Sequence, residues 1–360
     1  MSEAIVDTHA QAAEQPLPPL LIRDPLAAWL DARGLGADAG PIEATTVGDG
    51  HSNVTYLIRR GATELVLRRP PRPPLPPSAH DVLREAQLLT ALEPTPARTP
   101  KVLAACDDTT VIGAPFYVME KVEGDVLMRA LPPHLDPPAQ RRLIGEQLID
   151  ALVEVHAVDW RACGLEGYGK PTGYLERQLR RFTGLWEHNR TRELPTLDRV
   201  SAWLAANRPE SGAATIVHGD YRLGNTMFAP QAPARLEAIF DWELATIGDP
   251  LADVGYLAAT WAQPGDEQVG TVFALGAVTM QPGFPTRDEL IARYEEVSGR
   301  SMRDVRWYAT LALWKAAIFL EGSYRRLLAG TTDDPFFALL DRGVPALAER
   351  AWNVAGGSDH

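Results

Sequence analysis

Lysine is scarce in this chain: among 360 residues it occurs only at Lys101, Lys121, Lys170 and Lys315, and every other basic position is arginine. Asp and Glu number 47 against 35 Lys and Arg, a net charge of −12, so the clustered cations that hold a phosphate backbone are missing and nucleic acid is excluded as a partner. The balance leans toward a neutral or cationic ligand and is equally what solubility asks for. Cysteine is almost absent too. Cys106 and Cys163 stand far apart, with no Cys or His at zinc spacing, so neither a disulfide framework nor a structural zinc site is expected and each reads as a buried, reduced thiol. Long apolar runs are lacking as well. The stretch Thr271 to Met280 falls well short of the roughly eighteen residues a spanning helix needs, so no membrane segment is expected. Residues 1–19 carry Glu3, Asp7 and Glu14 without the basic start or apolar run of a secretory signal; they read as a mobile, uncleaved leader of a cytoplasmic protein.

What is present is enough apolar residue, 45%, for a substantial core, and the length favours two packed lobes. Asp24-Pro25 to Arg33-Gly34 has the punctuation of a helix, with Asp as N-cap, Pro at the first position and Gly past the end. Thr45 to Val47, Val54 to Ile58 and Glu64 to Arg68 alternate as three short strands. Pro70 to Pro77 is a stiff connection, and Asp81 to Leu92 repeats apolar residues at helical spacing with Glu85 among them. Lys101 to Ala105 and Phe116 to Glu120 are further strands, after which Glu123-Gly124-Asp125 breaks the pattern. Beyond it helical periodicity dominates: Pro137 to Val158, Leu175 to Trp186, a capping box at Thr286 to Glu289, and long helices over Val305 to Ala329 and Pro335 to Val354. The expected organisation is a leader over 1–21, an amino-terminal lobe built on an antiparallel sheet over 22–122, and a mostly helical carboxy-terminal lobe over 123–360.

The chemistry concentrates in Ile216-Val217-His218-Gly219-Asp220-Tyr221-Arg222-Leu223-Gly224-Asn225 and in Ala238-Ile239-Phe240-Asp241-Trp242-Glu243. An acidic side chain in a short loop can take a proton from a hydroxyl nucleophile, while an Asn five positions later and an Asp after the next strand can share the metal that neutralises a nucleotide's phosphates. Asp220 is therefore the candidate general base, Arg222 a donor toward the transferred phosphoryl oxygens, and Asn225 with Asp241 the hard-oxygen pair suited to Mg²⁺. Glu243 could add to the metal's outer shell. His-Gly-Asp alone is a weak signal, since Asp beside Gly is more often a turn. The joint pattern of strand, His-x-Asp, Asn and a second strand ending in Asp carries the reading. His218, preceding a better base, reads as a tether for the loop; Asp249, before Pro250, reads as a cap, and Asp253 as a support beneath the loop.

In the first lobe, Gly48 to Asn53 lies between two strands, where the backbone around Ser52 and Asn53 could cover phosphates, although a hairpin turn uses the same residue types. Arg68 supplies a cation at a strand end, with Arg69 the alternative if the register shifts by one, and Glu85 could pair with it. Glu120-Lys121-Val122, at the junction of the lobes, is where backbone could meet an adenine edge.

With these residues in order, the chain resembles the aminoglycoside phosphotransferase and choline-kinase-like family, the small-molecule branch of the protein-kinase-like fold. The resemblance runs from about Thr45 to Gly255. Its most specific parts are His218-Gly219-Asp220 with Asn225, and Asp241-Trp242-Glu243 followed by Gly248-Asp249-Pro250 and Asp253. His51-Ser52-Asn53 and Leu67-Arg68-Arg69-Pro70 make it most like the kinase-like domain fused to some acyl-CoA dehydrogenases. The resemblance implies an α+β, bilobal protein-kinase-like fold, Asp220 as base, Asn225 and Asp241 as magnesium ligands, and Arg68 with Glu85 as the nucleotide-positioning pair. It departs from the kinase pattern by Arg in place of Lys, Asn53 in place of a third Gly, and Trp242-Glu243 in place of Phe-Gly. The last departure, with only seven residues between Asp241 and Asp249, argues against a protein kinase with a switching activation segment.

The expected activity is ATP- and Mg²⁺-dependent O-phosphorylation of a small hydroxylated molecule, with GTP as a possible donor. The alternative is a nucleotide- or ligand-binding module of the same fold without turnover, which would have no need of a base at Asp220. The acceptor stays open between amino-alcohol, aminoglycoside, sugar and hydroxyacyl compound; the helix bearing Arg180, Arg181 and Trp186 could supply a cation for the last. Oligomeric state is also open.

Overall fold

The computed structural model describes residues 5–36, 40–48, 53–73, 80–128, 130–266, 278–331 and 335–356. The chain divides into two compact units, Met1–Thr95 with Thr99–Val122, and Pro96–Arg98 with Glu123–His360.

The first unit opens with packed structure where composition suggested a mobile leader. β1 (Ile5–Val6) pairs in parallel with β2 (Leu21–Ile22), and α1 (His9–Ala13) between them is closed by a capping box of Thr8 and Gln11. The physical reason is apolar: Leu21 joins Leu26, Trp29, Leu30 and Ile42 in the unit's hydrophobic core. That pairing also moves the start of α2 (Arg23–Asp31). Ile22 occupies the N-cap position without a side-chain bond, and Asp24, the expected cap, lies in the first turn with its amide donating to the Asp7 carbonyl.

The alternating runs that follow form β3 (Glu43–Val47), β4 (Val54–Arg60) and β5 (Thr63–Arg69). After α3 (Val82–Leu92), β6 (Val102–Cys106) and β7 (Phe116–Glu120) complete an antiparallel five-stranded sheet of order β3-β4-β5-β7-β6. Val54, Tyr56 and Ile58 point one way along β4 and are buried, as a period of two requires. Asp81 caps α3 by accepting the Arg84 amide at 3.0 Å, and Glu85 lies buried on the face that carries Val82, Ala86 and Leu89.

The second unit is mainly helical. It contains β8 (Asp125–Val126), α4 (Pro138–Ala157), α5 (Tyr174–Asn189), α6 (Pro195–Ala206), β9 (Thr215–Val217), β10 (Thr226–Phe228), β11 (Leu236–Ile239), β12 (Thr246–Gly248), α7 (Leu251–Thr260), α8 (Arg287–Ser298), α9 (Val305–Leu328) and α10 (Leu340–Val354). Two small sheets, β11-β10-β8 and β12-β9, carry the segments of interest. Helix α6 lay outside the sequence expectation, although Pro195 starts it and Leu197, Val200 and Leu204 bury at helical spacing. The last helix begins at Leu340 rather than 335, after a 3-10 turn over 335–339. The capping box at Thr286 and Glu289 forms as expected.

Close packing of α7 and of α5 on α9 depends on glycine. A Cβ on Gly255 would sit 2.5 Å from Tyr308, and one on Gly322 would sit 2.5 Å from the Asn189 side chain. No helix among the described residues is long and apolar enough to cross a membrane.

Candidate active site

The segment from β9 onward is held by one buried carboxylate. Asp253, in the first turn of α7, accepts the His218 amide at 2.7 Å and the Gly219 amide at 2.8 Å, and His156 Nε2 lies 3.2 Å away. The Tyr294 hydroxyl meets His156 Nδ1 at 2.7 Å, which extends the network to α8. Burial pushes the Asp253 carboxyl up, but the hydrogen bond and charge of His156, the charge of His218 and the Gly219 amide outweigh it and hold the group below its usual value. Asp249 acts on both sides of the same helix start: it accepts the Leu251 amide at 3.1 Å and the Tyr308 hydroxyl at 2.8 Å.

His218 is fully buried and bound at both ring nitrogens. Its Nδ1 accepts the Asp220 amide at 3.2 Å, which assigns the proton to Nε2, 2.9 Å from the Phe240 carbonyl. The ring thereby ties the loop to the end of β11, and it packs against Trp242 at 4.6 Å and Tyr221 at 5.9 Å. Gly219 needs its lack of a side chain, with φ +90° and Leu244 3.0 Å from any Cβ. The Tyr221 hydroxyl donates to the Leu148 carbonyl at 2.6 Å and anchors the loop to α4.

Asp220 and Asn225 meet directly. The Asn225 amide nitrogen donates to the Asp220 carbonyl at 2.9 Å and to Asp220 Oδ2 at 2.7 Å, so its Oδ1 is left as the other pole. Arg222 Nε approaches the same Oδ2 at 3.6 Å, and Gly224 leaves room for its guanidinium, since a Cβ there would stand 2.5 Å from Arg222 Nη1. Asp241 arrives beside Asn225 by strand register. Thr226 pairs with Ile239 across β10 and β11, and the Phe240 amide donates to the Asn225 carbonyl at 2.8 Å, one residue before Asp241. Asp241 adopts a left-handed conformation, φ 65° and ψ 57°, which Asp tolerates better than most residues and which turns the chain sharply after the strand. Trp242 then buries and donates its indole N–H to the Ile239 carbonyl at 2.8 Å, while Glu243 is half-buried.

The first unit answers the register question raised by two adjacent arginines. Arg68 Nε donates to Glu85 Oε2 at 2.9 Å in a pair whose side chains are 12% and 2% exposed. Arg69, on the opposite face, binds the carbonyls of Pro70, Leu20 and Ile112, and burial lowers its pKa to about 10. Asn53 is buried with its Oδ1 3.2 Å from His80 Nδ1, whereas Ser52 lies outside the described residues. Glu120 closes β7, accepting the Lys101 amide at 3.1 Å, and Val122 ends the unit.

Residues 43–290 match the phosphotransferase enzyme family. The chain belongs to that family. Among solved structures, a Ralstonia eutropha protein provisionally assigned to the aminoglycoside phosphotransferases is 32% identical, with 94% of this chain and 99% of that one covered and a TM-score of 0.77. An aminoglycoside phosphotransferase solved in ternary complex with AMP-PNP and hygromycin B shares the fold at 15% identity, TM-score 0.59, over 93% of this chain and all of that one. The mouse acyl-CoA dehydrogenase family member 10 is 34% identical over 318 residues, which is 88% of this chain and 29% of that protein, so the chain spans less than a third of that relative's length. The α+β architecture of a small antiparallel sheet and a mostly helical unit is the kinase-like fold of this phosphotransferase family.

Three groups near the loop from His218 to Asn225 went unnoticed in the sequence. The Tyr256 hydroxyl lies near Asp220; burial, then the charge of Asp220, raise its pKa well above the ordinary value. Lys315 of α9 lines a small space with Gly219, Asp253 and Tyr256. His156, which reaches Asp253 from α4, is a third. Each sits on a helix far from the loop in sequence, and only Tyr256, one helical turn beyond Asp253, had a local signal. Among the described residues no three His, Cys, Asp or Glu gather closely enough to hold a metal by themselves.

Proposed function

We propose that this chain transfers the terminal phosphoryl group of ATP, or GTP in its place, to a hydroxyl of a small molecule, with Mg²⁺. The observation that carries the reading is the direct bond between Asp220 and Asn225, together with a strand register that holds the backbone one residue before Asp241 against Asn225. Asp220 accepts the acceptor's proton as the acceptor oxygen bonds to the terminal phosphorus and the bridging bond to the nucleoside diphosphate breaks. Because the transition state is loose, much of its contribution is orientation, within a total on the order of 10²- to 10⁴-fold. Asn225, bound to this carboxylate, fixes its rotamer before the acceptor arrives. Arg222 faces the transferred oxygens.

The donor set fits a hard divalent cation. Asn225 spends its N–H₂ on Asp220, which leaves Oδ1 and the Asp241 carboxylate as a neutral and a charged oxygen. Such a pair suits Mg²⁺, which keeps several waters and phosphate oxygens of its own and needs only one or two protein ligands; when bound it neutralises phosphate charge. Arg68, fixed by Glu85, is the cation for the nucleotide, with Ser52 and Asn53 covering phosphates and the backbone of Glu120 and Val122 meeting the base. The aminoglycoside phosphotransferase solved with AMP-PNP supports the nucleotide in this reading, and a cytoplasmic setting fits it.

Two measurements test it together. Mg-ATP raises the melting temperature, as a ligand of the folded state must, and a screen of ADP formation over amino-alcohols, aminoglycosides, sugars and hydroxy acids finds an acceptor. Asp220→Asn lowers kcat by at least about 100-fold while the thermal shift persists. Asp241→Ala loses the activity and its metal dependence together. Wild-type turnover in either variant removes the role given to that residue.

A further inference from the structure

Two cations stand unpaired beside the loop. The Lys315 ammonium lies 4.8 Å from the centroid of the Phe182 ring, and the Arg181 guanidinium lies 5.8 Å from the same ring. Among the described residues neither has a carboxylate within ion-pair distance, whereas Arg177 is tied to carbonyls and Arg192 to acids. Lys315 faces the space of about 20 Å³ walled by Gly219, Asp253 and Tyr256, next to the residue that precedes Asp220. Burial first, and Arg181 second, lower its pKa to about 8, against the opposing pull of Asp253 and Asp220.

We propose that Lys315 and Arg181 form an anion subsite beside Asp220, so that the acceptor is a hydroxylated molecule carrying a carboxylate or phosphate group rather than a cationic amino-sugar. The inference rests on the phosphotransferase reading and names the substrate class for it. A polycation would set its ammonium groups against two cations without an ion-pair partner, and a neutral alcohol would leave the half-buried Lys315 without a direct counter-charge, while Arg181 is exposed. An anionic group accepts charge-assisted hydrogen bonds from both. Phe182 and the exposed Phe319, one turn beyond Lys315 on α9, offer apolar surface to the carbon skeleton. The family's association with aminoglycosides therefore does not set this chain's specificity.

The experiment compares matched acceptors by ADP formation: the isomeric hydroxybutyrates and glycerol 3-phosphate as anions, butane-1,3-diol as the neutral counterpart, ethanolamine and kanamycin as cations. A thermal-shift titration of the same anions, without nucleotide, runs beside it. At least one anion is expected to exceed the neutral and cationic compounds in kcat/KM, and the better of the carboxylate and phosphate arms identifies the group. Lys315→Met raises the KM for that anion on the order of 10- to 100-fold with a smaller change in kcat, and Lys315→Arg recovers most of the loss. A preference for ethanolamine or kanamycin, or an unchanged KM in both Lys315→Met and Arg181→Met, overturns the proposal. If the wild type forms no ADP with any acceptor and gains nothing from Mg-ATP, the phosphotransferase reading falls by itself. The titration then decides the subsite: stabilisation by an anion in the wild type and not in Lys315→Met upholds it, and no stabilisation in the wild type overturns it.

Discussion

The loop from His218 to Asn225 and the face made by α5 and α9 treat charge in opposite ways. In the loop most polar groups named above are answered: amides by Asp253, the imidazole at both nitrogens, Asp220 by Asn225. On the helical face Lys315 and Arg181 lie near an aromatic ring and, among the described residues, have no carboxylate within ion-pair distance. Paired charge fixes geometry, because each partner limits the other's position. Unpaired charge in a partly buried place is a standing cost that a ligand can relieve. The first region is built to be rigid before substrate arrives, the second to be completed by it.

A second contrast lies within the paired groups. Asp253 and Glu321 are both fully buried acids of the second unit, but Asp253 serves the loop while Glu321 serves the scaffold, accepting from the Thr191 amide and hydroxyl and from Arg192. Their substitutions sharpen the comparison and carry the largest effects. Asp253→Ala removes a carboxylate that accepts two amides, and is expected to cost about 3–5 kcal/mol of stability and to lower kcat in whatever fraction folds. Glu321→Ala is expected to cost a similar few kcal/mol in denaturant unfolding while kcat per folded molecule stays near wild type. Equal losses of kcat in both variants would erase the distinction drawn between them.

The two neighbouring arginines of β5 give a smaller test. Arg69→Met should lower stability by about 1–3 kcal/mol, because it strands the buried carbonyls of Leu20, Pro70 and Ile112, and should leave the Mg-ATP thermal shift nearly intact. Arg68→Met should do the reverse, weakening the nucleotide response more than the fold. The opposite assignment of these two outcomes would return the nucleotide role to Arg69.

Acidity gives the smallest effect. Lys315 must carry its proton to hold an anion, so the KM for an anionic acceptor stays low below about pH 8 and rises as pH passes through that value. The groups around it are Arg181, Asp220, Asp253, Tyr174, Tyr256 and Tyr308, and none of the acids forms an ion pair with it. The sign for stability is opposite. Between about pH 8 and the ordinary lysine range of 10.5 the unfolded chain binds the proton and the folded one does not, so folding gains as pH rises through that window. Lys315→Met should lack both the KM rise and this gain, measured by acceptor kinetics and denaturant titration across pH.

Much of this molecule was legible as pattern. The strands from 54 to 69 alternate, α3 carries its own cap in Asp81, and α8 its own capping box, so local rules and tertiary structure agree there. The loop motif was legible because its spacing is dictated by covalent geometry: a base and an Asn five residues apart in one turn, and an Asp at the end of the next strand. The amino-terminal stretch was misread because polar composition hides the apolar pair Leu21-Ile22, whose value depends on a core made by residues up to Phe116 and Val118. Residues 49–52, which carry the expected phosphate-covering turn except for Gly48 and Asn53, lie outside the described residues.

By itself, the sequence determined the sheet and the helical remainder and set Asp220, Asn225 and Asp241 at the spacing on which the proposed chemistry rests, because those follow from periods and spacings a few residues long. Tertiary structure alone decided that Arg68 rather than Arg69 meets Glu85, that Asp253 and His156 hold the loop from below, and that Lys315, nearly a hundred residues from Asp220, stands beside it with no acid of its own. Pairings of that kind depend on which faces of distant helices pack together, and that is settled by the whole core rather than by any local run of residues.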